Sequence, residues 1–454
     1  MNFTELVEAQ RIYFRSGATR SVEFRIAMLR KLQTALRERE AEINDAMKAD
    51  MNKSPSEVYM TETGMVREEL RFHIRHVGGW MREQTVPTPL AQFRAKSFLS
   101  PEPKGVVLIM APWNYPVQLC LEPLIGAISA GCTAVVKPSA YAPATSAALA
   151  RLLGGIFPRE YVAVVEGGRA ENAALLDQTF DHIFFTGSPA VGRTVLEKAA
   201  AHLTPVTLEL GGKSPVIVDE TADINLAARR IAFGKCLNAG QTCVAPDYLW
   251  IHESRKDAFA EAYRRALDEF FPEGDLSDFN VIINDRHFGR VSALLDSGTA
   301  VIGGGTDPAR RLIEPTLLDN VKQDSPIMQQ EIFGPVLPML PYSDLSECVD
   351  YIVAHPRPLA LYLFTGSRAA ERLVLERCSF GGGCINDTVI HLASSRMGFG
   401  GVGDSGMGSY HGKRSFDTFS HERSIVKKAT WMDLPIRYRP YSAARDRMLR
   451  LFLK

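Results

Sequence analysis

Cys243 ends the segment Asn238-Ala239-Gly240-Gln241-Thr242-Cys243, a small polar loop unlike the apolar surroundings of Cys120 or Cys236. A lone cysteine is usually a buried, inert hydrophobe, so its setting decides how it is read. A thiolate on such a loop can attack a carbonyl to give a thiohemiacetal, which becomes a thioester once hydride is expelled. Glu209 lies upstream in Leu208-Glu209-Leu210-Gly211-Gly212, an alternating apolar strand. An inward carboxylate there is costly unless it has work or partners, and burial would raise its pKa toward the range of a general base. The work would be activation of the water that hydrolyses a thioester. Asn114, in Pro112-Trp113-Asn114-Tyr115-Pro116, follows a strand in a turn stiffened by two prolines. A side-chain amide held there can donate to a developing oxyanion, although closing the turn is the commoner use of Asn. Trp113 and Tyr115 would line an aromatic pocket or belong to the core.

A cofactor site is the next constellation. Phe184-Phe185-Thr186-Gly187-Ser188-Pro189-Ala190-Val191-Gly192 reads as strand, glycine turn and helix start. Free amides at a helix N-terminus suit a pyrophosphate, but the glycine spacing is not the usual dinucleotide fingerprint. Lys137 closes a strand in Val135-Val136-Lys137-Pro138-Ser139, at the strand end where open α/β sheets bind ligands. It would donate to ribose hydroxyls; otherwise it is a solvated strand end. Glu331 and Phe333 lie in Gln330-Glu331-Ile332-Phe333-Gly334-Pro335, whose spacing alone assigns them no role.

The elements that carry these residues follow from periodicity. Residues 1–82 read as helices, with Ile26, Leu29, Leu32, Leu36 and Ile43 at helical spacing. Leu90 to Pro103 reads as a hairpin or extended arm. From Gly105 short apolar runs alternate with helices: strands at 105–110, 133–137, 161–165 and 182–185, and helices at 119–130, 144–154 and 191–201. That alternation means a parallel sheet covered on both faces. The pattern restarts after Gly212 with a strand at 215–218 and a helix at 224–237. The fold class expected is α/β: a Rossmann-like cofactor domain, a second α/β catalytic domain and a small β oligomerisation arm. The glycine-rich run 398–408 is either a linker or a structured loop near the site.

Composition narrows the classes of function. The 454 residues carry 52 Lys+Arg against 52 Asp+Glu, which argues against nucleic acid as the main partner. The seven cysteines are odd in number and include no Cys-x-x-Cys. Neither a disulfide framework nor a metal site is expected, and a reducing, cytoplasmic setting is. No run of 18 apolar residues exists, so no transmembrane segment is expected. The tail 436–454 is basic and amphipathic. It reads as a helix packed on a dimer or over the substrate entrance, with contact to a membrane surface as the alternative.

Taken jointly, these motifs resemble the aldehyde dehydrogenase superfamily, and more closely its class 3 branch of fatty and aromatic aldehydes. They are Ala111-Pro-Trp-Asn-Tyr-Pro116, Lys137-Pro-Ser139, Phe185-Thr-Gly-Ser188, Leu208-Glu-Leu-Gly-Gly-Lys213, Gly240-Gln-Thr-Cys243, Glu331-Ile-Phe-Gly-Pro335 and Tyr410–His421. The resemblance implies oxidation of an aldehyde to its acid with NAD or NADP. Cys243 would be the nucleophile and Glu209 the base. Asn114, with the Cys243 amide, would form the oxyanion hole. Trp113, Lys137, Ser139, Ala140, Thr186, Gly187, Ser188, Gly192, Leu210, Glu331 and Phe333 would contact the dinucleotide. It also implies a cofactor domain from 1–82 and 104–212, a catalytic domain from 213–417, and an arm from 83–103 with 418–435 that builds a homodimer.

One position departs from the pattern. Many relatives carry Glu directly after Lys-Pro-Ser, where this chain has Ala140. Losing its two charged hydrogen bonds costs NAD roughly 1.5–3 kcal/mol apiece at most. The same carboxylate about 4 Å from a 2′-phosphate would repel it by up to roughly 4 kcal/mol. Its absence removes the main obstacle to NADP. Two rival readings remain: a non-redox thioesterase or acyl transferase using Cys243 and Glu209, and an inactive structural protein of the same fold. Retention of Glu209 weighs against transfer of the acyl group to coenzyme A.

Overall fold

The run Val106–Met110 is buried along its whole length, as a strand covered on both faces must be. It lies mid-sheet in a computed structural model that describes residues 2–433 and 437–452. Strands His182–Gly187 and Thr133–Lys137 flank it in parallel, with Val206–Leu210 and Val162–Val164 beyond them. The short strand Gly406–Met407 closes this six-stranded sheet, antiparallel to Val206–Leu210, with Gly406 opposite Glu209. The glycine-rich run that the sequence places inside the second unit therefore returns to the first sheet. Gly406 has φ of +148°, and a Cβ there would strike the carbonyl of Leu208, so the close approach requires glycine.

Helices Phe3–Arg15, Val22–Glu38, Glu40–Met51 and Gly64–Trp80 form the N-terminal region. Between the last two, a short helix Pro55–Val58 runs into a π-helical turn, Tyr59–Thr63. Such turns occur mostly at functional sites.

The second sheet has seven strands. In spatial order they are Thr299–Ile302, Thr316–Asp319, Val336–Tyr342, Tyr248–His252, Pro215–Val218, Ala360–Phe364 and Gly382–Ile385. All pair in parallel except the first, which is antiparallel to its neighbour. A separate antiparallel ribbon joins Gln84–Val86, Ala95–Pro103 and Ser420–Lys428. The last of these is a nine-residue edge strand, mostly exposed. Residues 434–436 and 453–454, which include the end of the expected arm and parts of the tail, lie outside the described residues. The tail helix Ala443–Phe452 exposes Met448 and Leu451. No described helix is long and apolar enough to cross a membrane.

Candidate active site

The first sheet delivers side chains from the carboxyl ends of its strands or the loops beyond, where open α/β sheets place ligands, and the second contributes loops that enter its strands. Asn114 follows Val106–Met110, Ser188 follows His182–Gly187, and Glu209 is the penultimate residue of Val206–Leu210. Cys243 arrives from the second unit, after helix Ile224–Cys236 and before strand Tyr248–His252.

The nucleophile loop is held in an uncommon shape. Asn238, Ala239 and Gly240 are consecutive left-handed residues with φ of 52°, 50° and 70°. For the two non-glycine residues this conformation costs about 1–2 kcal/mol each, and it persists only where the surroundings enforce it. Gln241 does much of that. Its side-chain amide donates to the carbonyls of Asn238 and Val281, each at 3.1 Å, and its Oε1 accepts from the Ile283 amide at 3.0 Å. The Asn114 Nδ2 donates to the Gln241 carbonyl at 3.0 Å, while the Asn238 Nδ2 donates to the Asn114 carbonyl at 2.8 Å. A carboxamide carries two N–H donors, so Asn114 is anchored through one and keeps the other.

Burial sets the protonation states. It pushes the Cys243 thiol up to about 12, with Glu331 and Glu209 adding to the rise, while the amides of Cys243 and Val244 favour the thiolate. Burial likewise raises Glu209 well above the usual carboxylate range, partly offset by the nearby Gly401 amide. That amide stops short of hydrogen-bonding geometry, and neither Glu209 oxygen has a partner. Burial without a partner thus raises this carboxyl's proton affinity, the direction a general base needs. Glu331 is raised to about 8, first by burial and then by Asp247.

A cavity of about 310 Å³ collects Trp113, Asn114, Thr186, Gly187, Ser188, Glu209, Leu210, Cys243, Glu331 and Phe333. Ser188 caps helix Pro189–Ala200, its Oγ accepting from the Val191 amide at 3.5 Å. Trp113 meets Phe333 edge-on at 5.4 Å. The other expected cofactor residues lie outside this cavity. The Lys137 Nζ donates to the carbonyls of Pro138 and Gly167, at 2.7 and 2.6 Å. Ser139 and Ala140 sit in the loop that follows, with Ala140 exposed. Gly192 lies behind Leu210, where a Cβ would come to 2.6 Å of Leu210 Cδ2. Tyr115 is buried, its hydroxyl on Thr242 Oγ1.

Two polar atoms on the cavity wall, Thr186 Oγ1 and Glu331 Oε1, are buried without a hydrogen-bond partner. Buried polar groups normally have one, and a hydroxyl-rich ligand such as a ribose fits both.

Sequence reasoning missed Arg290, which lines the same cavity. Its guanidinium donates to the carbonyls of Glu331 and Ile332 at 3.1 and 2.6 Å. Lys213 grips the loop from the other side through the carbonyls of Ile327 and Gln330. Also missed was a second cavity, about 180 Å³, on the other side of Cys243. Met60, Met65, Phe233, Leu237, Val389 and Leu392 give it an apolar wall, and Tyr115, Gln118, Thr242 and His411 supply polar atoms. Met60 and Ile390 carry the apolar character out to the surface, 47% and 54% exposed. These residues are scattered along the chain in no pattern that marks a site.

A family model described as "Aldehyde dehydrogenase family" matches residues 2–425. The 4,4'-diaponeurosporen-aldehyde dehydrogenase of Staphylococcus aureus is 47% identical over 433 residues, covering 94% of each chain. Human aldehyde dehydrogenase family 3 member B1 is 43% identical over 440 residues, covering 96% of this chain and 94% of that one. A solved structure described as the substrate-bound state of Staphylococcus aureus AldH superposes with a TM-score of 0.98 at 45% identity, covering all of both chains.

Proposed function

The chain belongs to the aldehyde dehydrogenase family, and from that premise we propose that it oxidises an apolar aldehyde to the acid through an acyl-enzyme on Cys243. The observation that carries this reading is the position of Cys243 where the two cavities meet. One cavity is apolar and suits the aldehyde tail. The other has partnerless polar atoms and a capped helix start, and suits NAD or NADP.

The aldehyde enters along the apolar wall and presents its carbonyl carbon to Cys243 Sγ. The thiol proton passes to solvent as the S–C bond forms, so Glu209 is still ionisable and unpaired when the water step comes. The free Nδ2–H of Asn114 and the Cys243 amide stabilise the oxyanion. The bound dinucleotide supplies the hydride acceptor. When the oxyanion re-forms its carbonyl, the C–H bond breaks and a thioester remains. Glu209 then takes a proton from water, hydroxide adds to the thioester, and collapse releases the acid and the Cys243 thiolate.

Three finer assignments belong to the same proposal. Ala140 places no carboxylate beside a 2′-phosphate, so NADP is accepted. The Ser420–Lys428 edge strand pairs with a second copy to make a homodimer, because an unpaired edge is a template for another strand. The cysteines are all free, in keeping with a cytoplasmic setting. The segments 1–82 with 104–212 are the cofactor domain and most of 213–417 the catalytic one.

The test is reduced-nicotinamide absorbance at about 340 nm with aliphatic and aromatic aldehydes, NAD and NADP given separately. Turnover that rises with substrate apolarity and vanishes in Cys243→Ala supports the reading. Turnover in that variant sinks it, and a kcat/KM far larger with NAD than with NADP sinks the role given to Ala140.

A further inference from the structure

Three charged residues from the N-terminal region, Lys53 in a loop and Glu57 and Glu62 on the helix and π-turn that follow, are turned toward the catalytic loops. Lys53 and Glu62 are fully buried and paired at 3.0 Å. Glu62 sits on the π-helical turn, and its Oε2 accepts from the amides of Val117 and Gln118 at 3.0 and 2.9 Å. Those amides open helix Gln118–Ala130, so the carboxylate caps the turn that carries Asn114. The half-buried Glu57, five residues earlier, accepts from the Asn238 amide at 2.8 Å. Asn238 begins the left-handed stretch that leads to Cys243. The Lys53 ammonium lies 4.2 Å over the ring of Tyr115, whose hydroxyl rests on Thr242.

Each carboxylate thus grips one of the two loops that meet at the reacting carbonyl. We propose that Lys53, Glu57 and Glu62 form an ionic clamp that fixes the separation of the Asn114 amide and the Cys243 sulfur. All three are then positioning residues. The proposal rests on the reading of Cys243 and Asn114 given above.

The physical argument is one of strain and reach. Two non-glycine residues in left-handed conformation will relax unless something restrains them. Asn238 is restrained on its side chain by Asn114, Gln241 and Asn280, and on its own amide by Glu57. A charge-assisted hydrogen bond of this kind is about twice as strong as a neutral one. Lys53 is paired with Glu62, and its charge also acts on Glu57 without a direct ion pair, so the two carboxylates are coupled through one cation.

The experiment compares Glu57→Ala, Glu57→Asp, Glu57→Gln, and Glu57→Ala combined with Ala239→Gly, in the full chain, with Cys243→Ala alongside. Aspartate keeps the charge but is one methylene too short. Glutamine keeps the acceptor oxygen and the length. Kcat, KM, dinucleotide Kd and the rate of Cys243 alkylation by iodoacetamide are measured. The clamp predicts that Ala and Asp lose kcat by about tenfold to a hundredfold with dinucleotide Kd unchanged, and that Gln, which keeps the acceptor without the charge, recovers only part of it. Ala239→Gly, which removes the strain, restores part of the kcat lost by Glu57→Ala. If Glu57→Ala does not fold, Glu57→Asp and Glu57→Gln carry the comparison. A kcat within twofold of the parent in Ala or Asp, with Cys243→Ala dead, overturns the clamp and leaves the nucleophile standing. Turnover that survives in Cys243→Ala instead overturns the reading of the site itself.

Discussion

The proposed nucleophile rests as a thiol, because burial and two carboxyls oppose its ionisation. Such a sulfur is protected from adventitious oxidation, which attacks thiolates, and becomes reactive only as its proton is removed. Glu209 is the counterpart, a carboxyl left without partners. The unfolded chain ionises it near 4.5, whereas burial raises its folded value well above that. Over the intervening window the folded protein holds a proton that the unfolded chain has lost, so this group makes stability fall as pH rises. Glu209→Gln removes that penalty. The variant is expected to gain Tm at about pH 8 and little at about pH 4. It should also release one equivalent of reduced cofactor and then stall, with steady-state turnover lower by about 100- to 10,000-fold. Rapid-mixing absorbance and calorimetry read the two effects, and loss of the burst would show that Glu209 acts before hydrolysis.

At the scale of elements, the glycine loop 398–408 backs the base. A Cβ at Gly400 would strike the Gly408 carbonyl at 2.4 Å and stand 3.2 Å from Glu209 Oε1, so the loop itself must shift, and Gly406 pairs across from Glu209. Gly400→Ala should displace the carboxylate and slow hydrolysis by about tenfold, leaving the burst and the dinucleotide Kd intact. An unchanged steady state would mean the loop yields without moving Glu209. These elements also show what the sequence makes legible. Strands Thr133–Lys137 and Pro215–Val218 and helix Ile224–Cys236 are readable because hydrophobic period and glycine punctuation are local. Cys243, Glu209 and Asn114 stand out because their residue types are out of place among their neighbours. The apolar cavity is not readable: Met60, Phe233 and Leu392 look like any core residues until the fold brings them together. The same holds for Glu57, whose partner Asn238 lies 181 residues away, and for Gly406, whose return to the first sheet leaves no periodic trace.

Among the described residues, one nine-residue strand leaves an edge open. Strand Ser420–Lys428 is paired on one side only, and Val426 and Trp431 stand 51% and 69% exposed. Exposed Glu422, Arg423 and Lys427 guard this edge by charge, and in the proposed homodimer a second copy would cover the apolar Val426. Val426→Lys is expected to shift sedimentation velocity from dimer to monomer and to remove the concentration dependence of Tm. A parent protein that sediments as a monomer would rule this arrangement out.

Cys243 stands on the partition between two chambers that open to different sides of the sulfur. On the proposed reading, fuel and oxidant reach the sulfur from separate cavities. An aldehyde with a long tail need not wait for the dinucleotide to clear its path, and the finished acid can back out while the spent carrier is still in place. Cys243 shares that partition with Leu119, Phe399 and Tyr410, and of the four it alone carries a thiol.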